Sequence, residues 1–132
     1  MVNKLDILVV DDQPGVRQLL GIIVSEQGDN VREAQNGKEA VDLVKKWKPD
    51  LVIMDILMPV MGGVEALEKM KILNPNLPVV MMTAYGSEET LADLRKKGAV
   101  MCLTKPFDVE FIKILLNDFR QKKCSNSVAL SC

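Results

Sequence analysis

The chain contains no histidine. Serine–histidine–aspartate triads and histidine acid–base catalysis are therefore excluded. Cysteine is scarce: Cys102, Cys124 and Cys132 are odd in number and form no C-x-x-C pair. Neither a disulfide framework nor a structural zinc site follows from that spacing, and reduced thiols are expected. Cys102 falls in an apolar run, where a cysteine serves as a small buried hydrophobe rather than a reactive thiol. No apolar run approaches the roughly 18 residues of a membrane span. The opening MVNKLDILVVDD meets acidic residues too early for a signal peptide, so a cytoplasmic location is expected. Basic excess is missing as well. Lys and Arg number 17 against 18 Asp and Glu, interspersed along the chain, which gives nucleic acid no electrostatic handle. Finally, no G-x-G-x-x-G or P-loop pattern follows any apolar run, which argues against dinucleotide and nucleoside-triphosphate binding.

What is present is alternation. Short apolar runs at Leu5–Val10, Asn30–Ala34, Leu51–Met54, Leu77–Met82 and Ala99–Leu103 are separated by segments of helical period. Four runs are apolar almost throughout, as in strands covered on both faces; the more polar NVREA reads as an edge strand. Val16, Leu19, Leu20 and Ile23 repeat at helical spacing, and Gly28 stops that helix. Asn36 and Glu39 fit a capping box opening a second helix that ends before Pro49. Val64, Leu67 and Met70 mark a third, closed at Asn74–Pro75. The fourth begins near Ser87 with Glu88 and Glu89 and ends in Arg95, Lys96 and Lys97 before Gly98, which suits the macrodipole at both ends. Phe111, Ile112, Leu115, Leu116 and Phe119 give the last helix a broad apolar face.

This βα alternation predicts an α/β, flavodoxin-like, doubly wound domain: a five-stranded parallel sheet in the order 2-1-3-4-5 with five helices. The domain is expected to cover residues 1–122. The stretch 123–132 has no period and is expected to be a disordered tail.

In such sheets ligands bind beyond the carboxyl ends of the strands. Those ends here carry Asp11 and Asp12, then Asp55, then Thr83, then Lys105. Each residue alone is explained by a turn, a cap or a solvated charge. Together they fall at successive strand ends in chain order, which those separate explanations do not account for. Neighbouring first and third strands would bring three carboxylates to one rim, and such a cluster calls for a hard divalent cation. Mg²⁺ is the expected one.

The DD pair at Asp11–Asp12, D-x-x-M-P at Asp55–Pro59, T-A at Thr83–Ala84 and K-P-F at Lys105–Phe107 closely resemble bacterial response-regulator receiver domains over about residues 4–120. Within that family, VDDQPGVRQLL and Ala84–Tyr85 are similar to the single-domain phosphotransferases of sporulation relays. The resemblance implies that Asp55 is the nucleophile that becomes an aspartyl phosphate. It implies that Asp12, Asp55 and the backbone carbonyl of Leu57 bind Mg²⁺ directly, with Asp11 acting through water. Lys105 would pair with Asp55 and then with the phosphoryl group, whose other oxygens would meet the Thr83 hydroxyl and the Ala84 N–H. Because the chain has no histidine, the donor would be a phosphohistidine on a sensor histidine kinase or a histidine phosphotransferase. Gln13, Pro14, Gly15 and Leu19, with Pro106 and Phe107, would form the docking surface. A monomer is expected. Action through protein partners alone is expected because the sequence ends after the fifth helix; a receiver cut from a longer regulator is the alternative.

Three positions depart from the family pattern. Gly62–Gly63 stands where Asp or Asn usually precedes the glycine, which predicts a looser loop. Leu57 cannot hold an attacking water, so autodephosphorylation is unaided there. Cys102 replaces a frequent aromatic, which removes the ring of an aromatic switch. Aspartate-nucleophile phosphatases share this chemistry but carry a second Asp two residues on, where this chain has Leu57 after Asp55 and Gln13 after Asp11.

Overall fold

Val, Ile, Leu and Met dominate the strands, and runs of five such residues bury fully only when helices cover both sheet faces. The computed structural model, which describes residues 4–84 and 86–131, with side chains through 123, has this arrangement. Strands β1 (Asp6–Val10), β2 (Asn30–Ala34), β3 (Leu51–Asp55), β4 (Val79–Thr83) and β5 (Met101–Thr104) alternate with helices α1 (Pro14–Glu26), α2 (Gly37–Lys46), α3 (Gly63–Leu73), α4 (Glu88–Lys96) and α5 (Val109–Ser131). The sheet is parallel throughout, in the order β2-β1-β3-β4-β5. β3 and β4 are buried along their whole length, whereas β2 lies at an edge and is mostly exposed.

Alternate strand residues feed two cores. Leu8, Val10, Val52, Met54, Val79 and Met81 pack on one face with Val41, Leu67 and Met70; Ile7, Val9, Ile53, Val80 and Met82 pack on the other with Leu20, Ile23, Ile112 and Leu116. Two residues that fit their helices' apolar period are exposed, one of them, Leu19, a residue of the expected docking surface. Leu19 is 43% exposed and Phe111 is 40% exposed, because each lies at the margin of its helix's buried stripe.

Helix ends follow the expected chemistry with one change. The Asn36 side chain accepts from Glu39 N–H at 2.9 Å, but the reciprocal bond from Glu39 reaches Gln35 N–H at 3.0 Å, one residue before the cap. Ser87 caps α4 by accepting from Thr90 N–H at 3.2 Å. Gly28 and Gly98 follow α1 and α4 with φ of +87° and +109°, conformations that favour glycine. α5 continues helical past Lys122 to Ser131, through the stretch expected to be a tail. The helix propagates from the packed turns before it, so the sequence need show no period of its own there. The side chains of 124–131, Cys124 among them, and all of Cys132 lie outside the described residues.

Of the Gly62–Gly63 pair, Gly63 is the tight position, while Gly62 has room and supplies no side-chain cap. Gly62 is the α3 N-cap with φ −74°, and Gly63 N–H donates to the Ile56 carbonyl at 2.7 Å. A Cβ on Gly63 would lie 2.2 Å from the carbonyl oxygen of Asp55, whereas one on Gly62 meets nothing nearer than 3.4 Å. Gly63→Ala is therefore expected to lower stability by about 2–3 kcal/mol through forced backbone displacement. Gly62→Ser, which supplies the missing cap, should raise stability by a few tenths of a kcal/mol. Urea unfolding of the two variants checks both; equal effects would mean that α3 does not press on Asp55.

Candidate functional site

The parallel register brings the carboxyl ends of β1, β3, β4 and β5 to one rim. Val10 pairs with Met54, Asp55 with Met82, and Thr83 with Thr104, so residues just beyond each strand become neighbours. One carboxylate oxygen from each of Asp11, Asp12 and Asp55 lies within 4.8 Å of the others. Asp11 is fully buried and Asp55 nearly so, while Asp12 is exposed and opens the cluster to solvent.

Three loops hold these groups. After β1, Gln13 N–H donates to Asp11 Oδ1 at 2.9 Å. After β3, Ile56 N–H donates to Asp55 Oδ1 at 3.0 Å and to the Met82 carbonyl at 3.1 Å. After β5, Lys105 N–H donates to the Thr83 carbonyl at 2.8 Å, which fixes the lysine over the rim. Lys105 Nζ then lies 2.8 Å from Asp11 Oδ2 and 3.5 Å from Asp55 Oδ2. Lys105 thus bridges both acids: the expected pair with Asp55 is present, and the shorter contact is to Asp11. Both acids are buried, and a buried carboxylate needs a paired charge, which the one ammonium supplies to each.

The electrostatics follow from the geometry. Burial, then the neighbouring Asp11 charge, pushes the Asp55 carboxyl above its ordinary value, against the pull of Lys105 and the Ile56 N–H. For Lys105, burial works against the charge, but the bond to Asp11 and the charges of Asp55 and Asp11 outweigh it and raise the ammonium's pKa.

Thr83 is buried at the end of β4, and Ala84 after it is exposed; Tyr85 lies outside the described residues. Leu57 is 68% exposed on the loop after Asp55. In the same loop Val60 has φ +70°, a strained conformation for a β-branched residue. Gly15, Val16 and Leu19 of α1 and Lys105, Pro106 and Phe107 line an open hollow of about 410 Å³ beside the acids. Gln13 and Pro14 are exposed at the start of α1 but do not line it. Cys102 is half-buried against the first core, and burial pushes its thiol up, only partly offset by Arg95. Such a thiol is not activated as a nucleophile.

One contact had no signal in the sequence. Arg17 Nη1 donates to the backbone carbonyl of Asp11 at 2.7 Å, and its Nε lies 3.4 Å from Glu33 Oε1 on β2.

The donor set is all oxygen and carries net negative charge, which fits a hard divalent cation such as Mg²⁺. The fold and this rim define a class, and comparison with known proteins agrees. Residues 7–117 match the family model described as "Response regulator receiver domain". The chain belongs to that family, whose members are phosphorylated on an aspartate with Mg²⁺ and interact with histidine kinases or phosphotransferases.

Among individual proteins, it is 41% identical over 113 residues to sporulation initiation phosphotransferase F of Bacillus subtilis, covering 86% of this chain and 90% of that one. It is 38% identical to chemotaxis protein CheY of Halobacterium salinarum, with 85% and 93% coverage. The Borrelia burgdorferi CheX–CheY–BeF₃–Mg²⁺ complex contains a chain of similar structure, with TM-score 0.81, 31% identity, and 87% and 89% coverage. Among the described residues no helix is long and apolar enough to cross a membrane.

The raised Asp55 carboxyl gives a signed pH effect in magnesium-free buffer. Its folded value lies above the ordinary 3.8, so the stability that the protonated form contributes is fully present below that pH. It is lost as pH rises through the folded value. Asp55→Asn, which cannot ionise, should raise the urea midpoint at neutral pH, with the gain shrinking near pH 3. An equal gain at both pH values would assign the effect to packing.

Proposed function

We propose that Asp55 is the phosphoacceptor of a phosphorelay receiver and that its donor is a phosphohistidine on a partner protein. The observation that carries this is the meeting of Asp11, Asp12 and Asp55 within 4.8 Å, with Lys105 bridging two of them. Asp12, Asp55 and the Leu57 carbonyl would hold Mg²⁺ directly and Asp11 through water. The ion's role is to neutralise charge where an anionic donor approaches.

An Asp55 oxygen attacks phosphorus as the P–N bond of the donor breaks. The histidine nitrogen keeps the bond's electron pair and takes up a proton from solvent. Lys105, the Thr83 hydroxyl and the Ala84 N–H receive the three phosphoryl oxygens. Phosphoryl transfer needs mainly such positioning and charge offset, with little covalent work from the protein. A lysine has only donors, so Lys105 suits a phosphoryl oxygen and not the metal.

The exposed Leu57 side chain offers no polar atom to orient a hydrolytic water, so the aspartyl phosphate persists and is passed on rather than turned over. On this reading the chain modifies itself and is not a turnover phosphatase. Residues 1–122 act as a monomeric cytoplasmic receiver, with a sensor histidine kinase or histidine phosphotransferase as partner and no part for nucleic acid. The hollow lined by Gly15, Leu19, Pro106 and Phe107, with Gln13 and Pro14 preceding it on the chain, is the docking surface for the helical segment that carries the donor histidine. Its apolar lining adjoins the acids, so a docked partner presents its phosphate to Asp55.

Incubation with acetyl phosphate and Mg²⁺, followed by intact-mass analysis, tests the acceptor: wild type gains one phosphoryl group. Asp55→Asn or added EDTA abolishes the gain. A stable phosphate on Asp55→Asn at the same site would refute the assignment. With a phosphohistidine donor protein, Leu19→Ala should slow transfer by roughly tenfold, the cost of truncating a central contact, while acetyl phosphate labelling stays intact. Equal loss of both activities would mean that Leu19 supports the fold instead.

A further inference from the structure

Asp11 is held at both of its ends. Its carboxylate accepts from Gln13 N–H and from Lys105, its N–H donates to the Ala34 carbonyl, and its own carbonyl accepts from Arg17. That last bond differs from the others. The carbonyl of Asp11 belongs to the peptide unit that leads into Asp12, so its direction sets where the exposed Asp12 carboxylate starts. It lies just past the end of β1, where the strand's ladder no longer fixes it. Without a donor there, the peptide is free to rotate and the two acids lose their fixed spacing.

Arg17 is itself well fixed. Its side chain is only 14% exposed, and Glu33 of β2 braces the guanidinium at Nε while Nη1 reaches the carbonyl. Glu33 in turn lies over Gly21 of α1, where an added Cβ would sit 3.8 Å from its Oε2. The planar guanidinium presents its donors in a rigid fork, which lets one side chain serve two acceptors on different elements at once. The edge strand β2 thereby gains a link to the acid loop on β1 that does not run through the sheet.

We infer that Arg17 is a positioning residue for the acid pocket: by bridging the Asp11 carbonyl and Glu33 it fixes the Asp11–Asp12 peptide and so sets the affinity for the divalent cation. The inference rests on the proposed Mg²⁺ role of Asp11, Asp12 and Asp55. Its sign separates it from simple charge. A guanidinium near the acids repels a divalent cation, so if charge alone mattered, removing it would tighten binding. Loss of a positioning contact weakens binding instead, by about tenfold or more where a group that orients a metal ligand is removed.

The test is calorimetric titration of Mg²⁺ into wild type, Arg17→Met and Arg17→Lys, with urea unfolding of each as a control. Arg17→Met keeps the aliphatic stem and loses every donor; its Kd for Mg²⁺ should rise about tenfold. Arg17→Lys keeps the charge, but its single ammonium does not span both acceptors, and its Kd should rise a few-fold. Unchanged or tighter binding in Arg17→Met, or wild-type affinity in Arg17→Lys, overturns the inference. Should Arg17→Met fail to fold, Arg17→Lys alone decides. Failure of wild type to bind Mg²⁺ would instead refute the underlying reading of the acids, a result distinct from wild-type binding that the variants retain.

Discussion

Three carboxylates converge on one spot, and the rest of the architecture answers to that crowding. Unit charges about 4 Å apart near a protein surface interact by about 4 kcal/mol, so the acids cannot share a rim without compensation. The compensation comes from distant parts of the chain. Lys105 stands 94 residues from Asp11 and reaches it at 2.8 Å, because β5 ends beside β4 and its following loop bends back over β3 and β1. Backbone N–H groups of Gln13 and Ile56 add fixed donors. What they leave over is a net negative, oxygen-lined, solvent-facing pocket, which is the chemistry a hard cation and an anionic donor need together.

Rigidity around the pocket comes from backbone meeting backbone. α3 approaches so closely that Gly63 has no room for a Cβ against the Asp55 carbonyl, and Gly37 N–H reaches the Met61 carbonyl at 2.9 Å. These contacts tie the loop after Asp55 to both neighbouring helices. Within that loop Val60 holds φ +70°, a strained conformation that persists only where its surroundings determine it. The strain sits five residues from the proposed phosphoacceptor, in the loop that follows it.

Much of this was legible in the sequence because strand burial and helix capping are local. The uniform apolar runs, the Asn36 and Ser87 caps and the glycines after α1 and α4 specify the elements one by one, and strict alternation then leaves few sheet orders. The acids, Thr83 and Lys105 were legible for the same reason: each ends a strand or follows one, and a parallel sheet gathers strand ends. What could not be read were facts of three-dimensional contact. Lys105 lies nearer to Asp11 than to Asp55, a difference in distance that no spacing encodes. The tight fit at Gly63 leaves no mark in the sequence, since a glycine reads the same whether or not a Cβ would have room. Leu19 and Phe111 fit their helices' apolar period yet lie exposed, because periodicity does not mark where a buried stripe ends. Arg17 follows Asp11 by six residues, a separation that signals nothing until α1 is folded back across β1 and β2.

The central claim is that the clustered acids form a cation site belonging to the folded state. Urea unfolding across a range of Mg²⁺ concentrations measures this directly, through the free energy by which a ligand of the native state opposes unfolding. With free Mg²⁺ at a hundredfold excess over its Kd, wild type should gain about 2.7 kcal/mol, and Asp12→Asn should lose most of that gain. An unfolding midpoint that does not move with Mg²⁺, or one that moves equally in Asp12→Asn, would contradict the account.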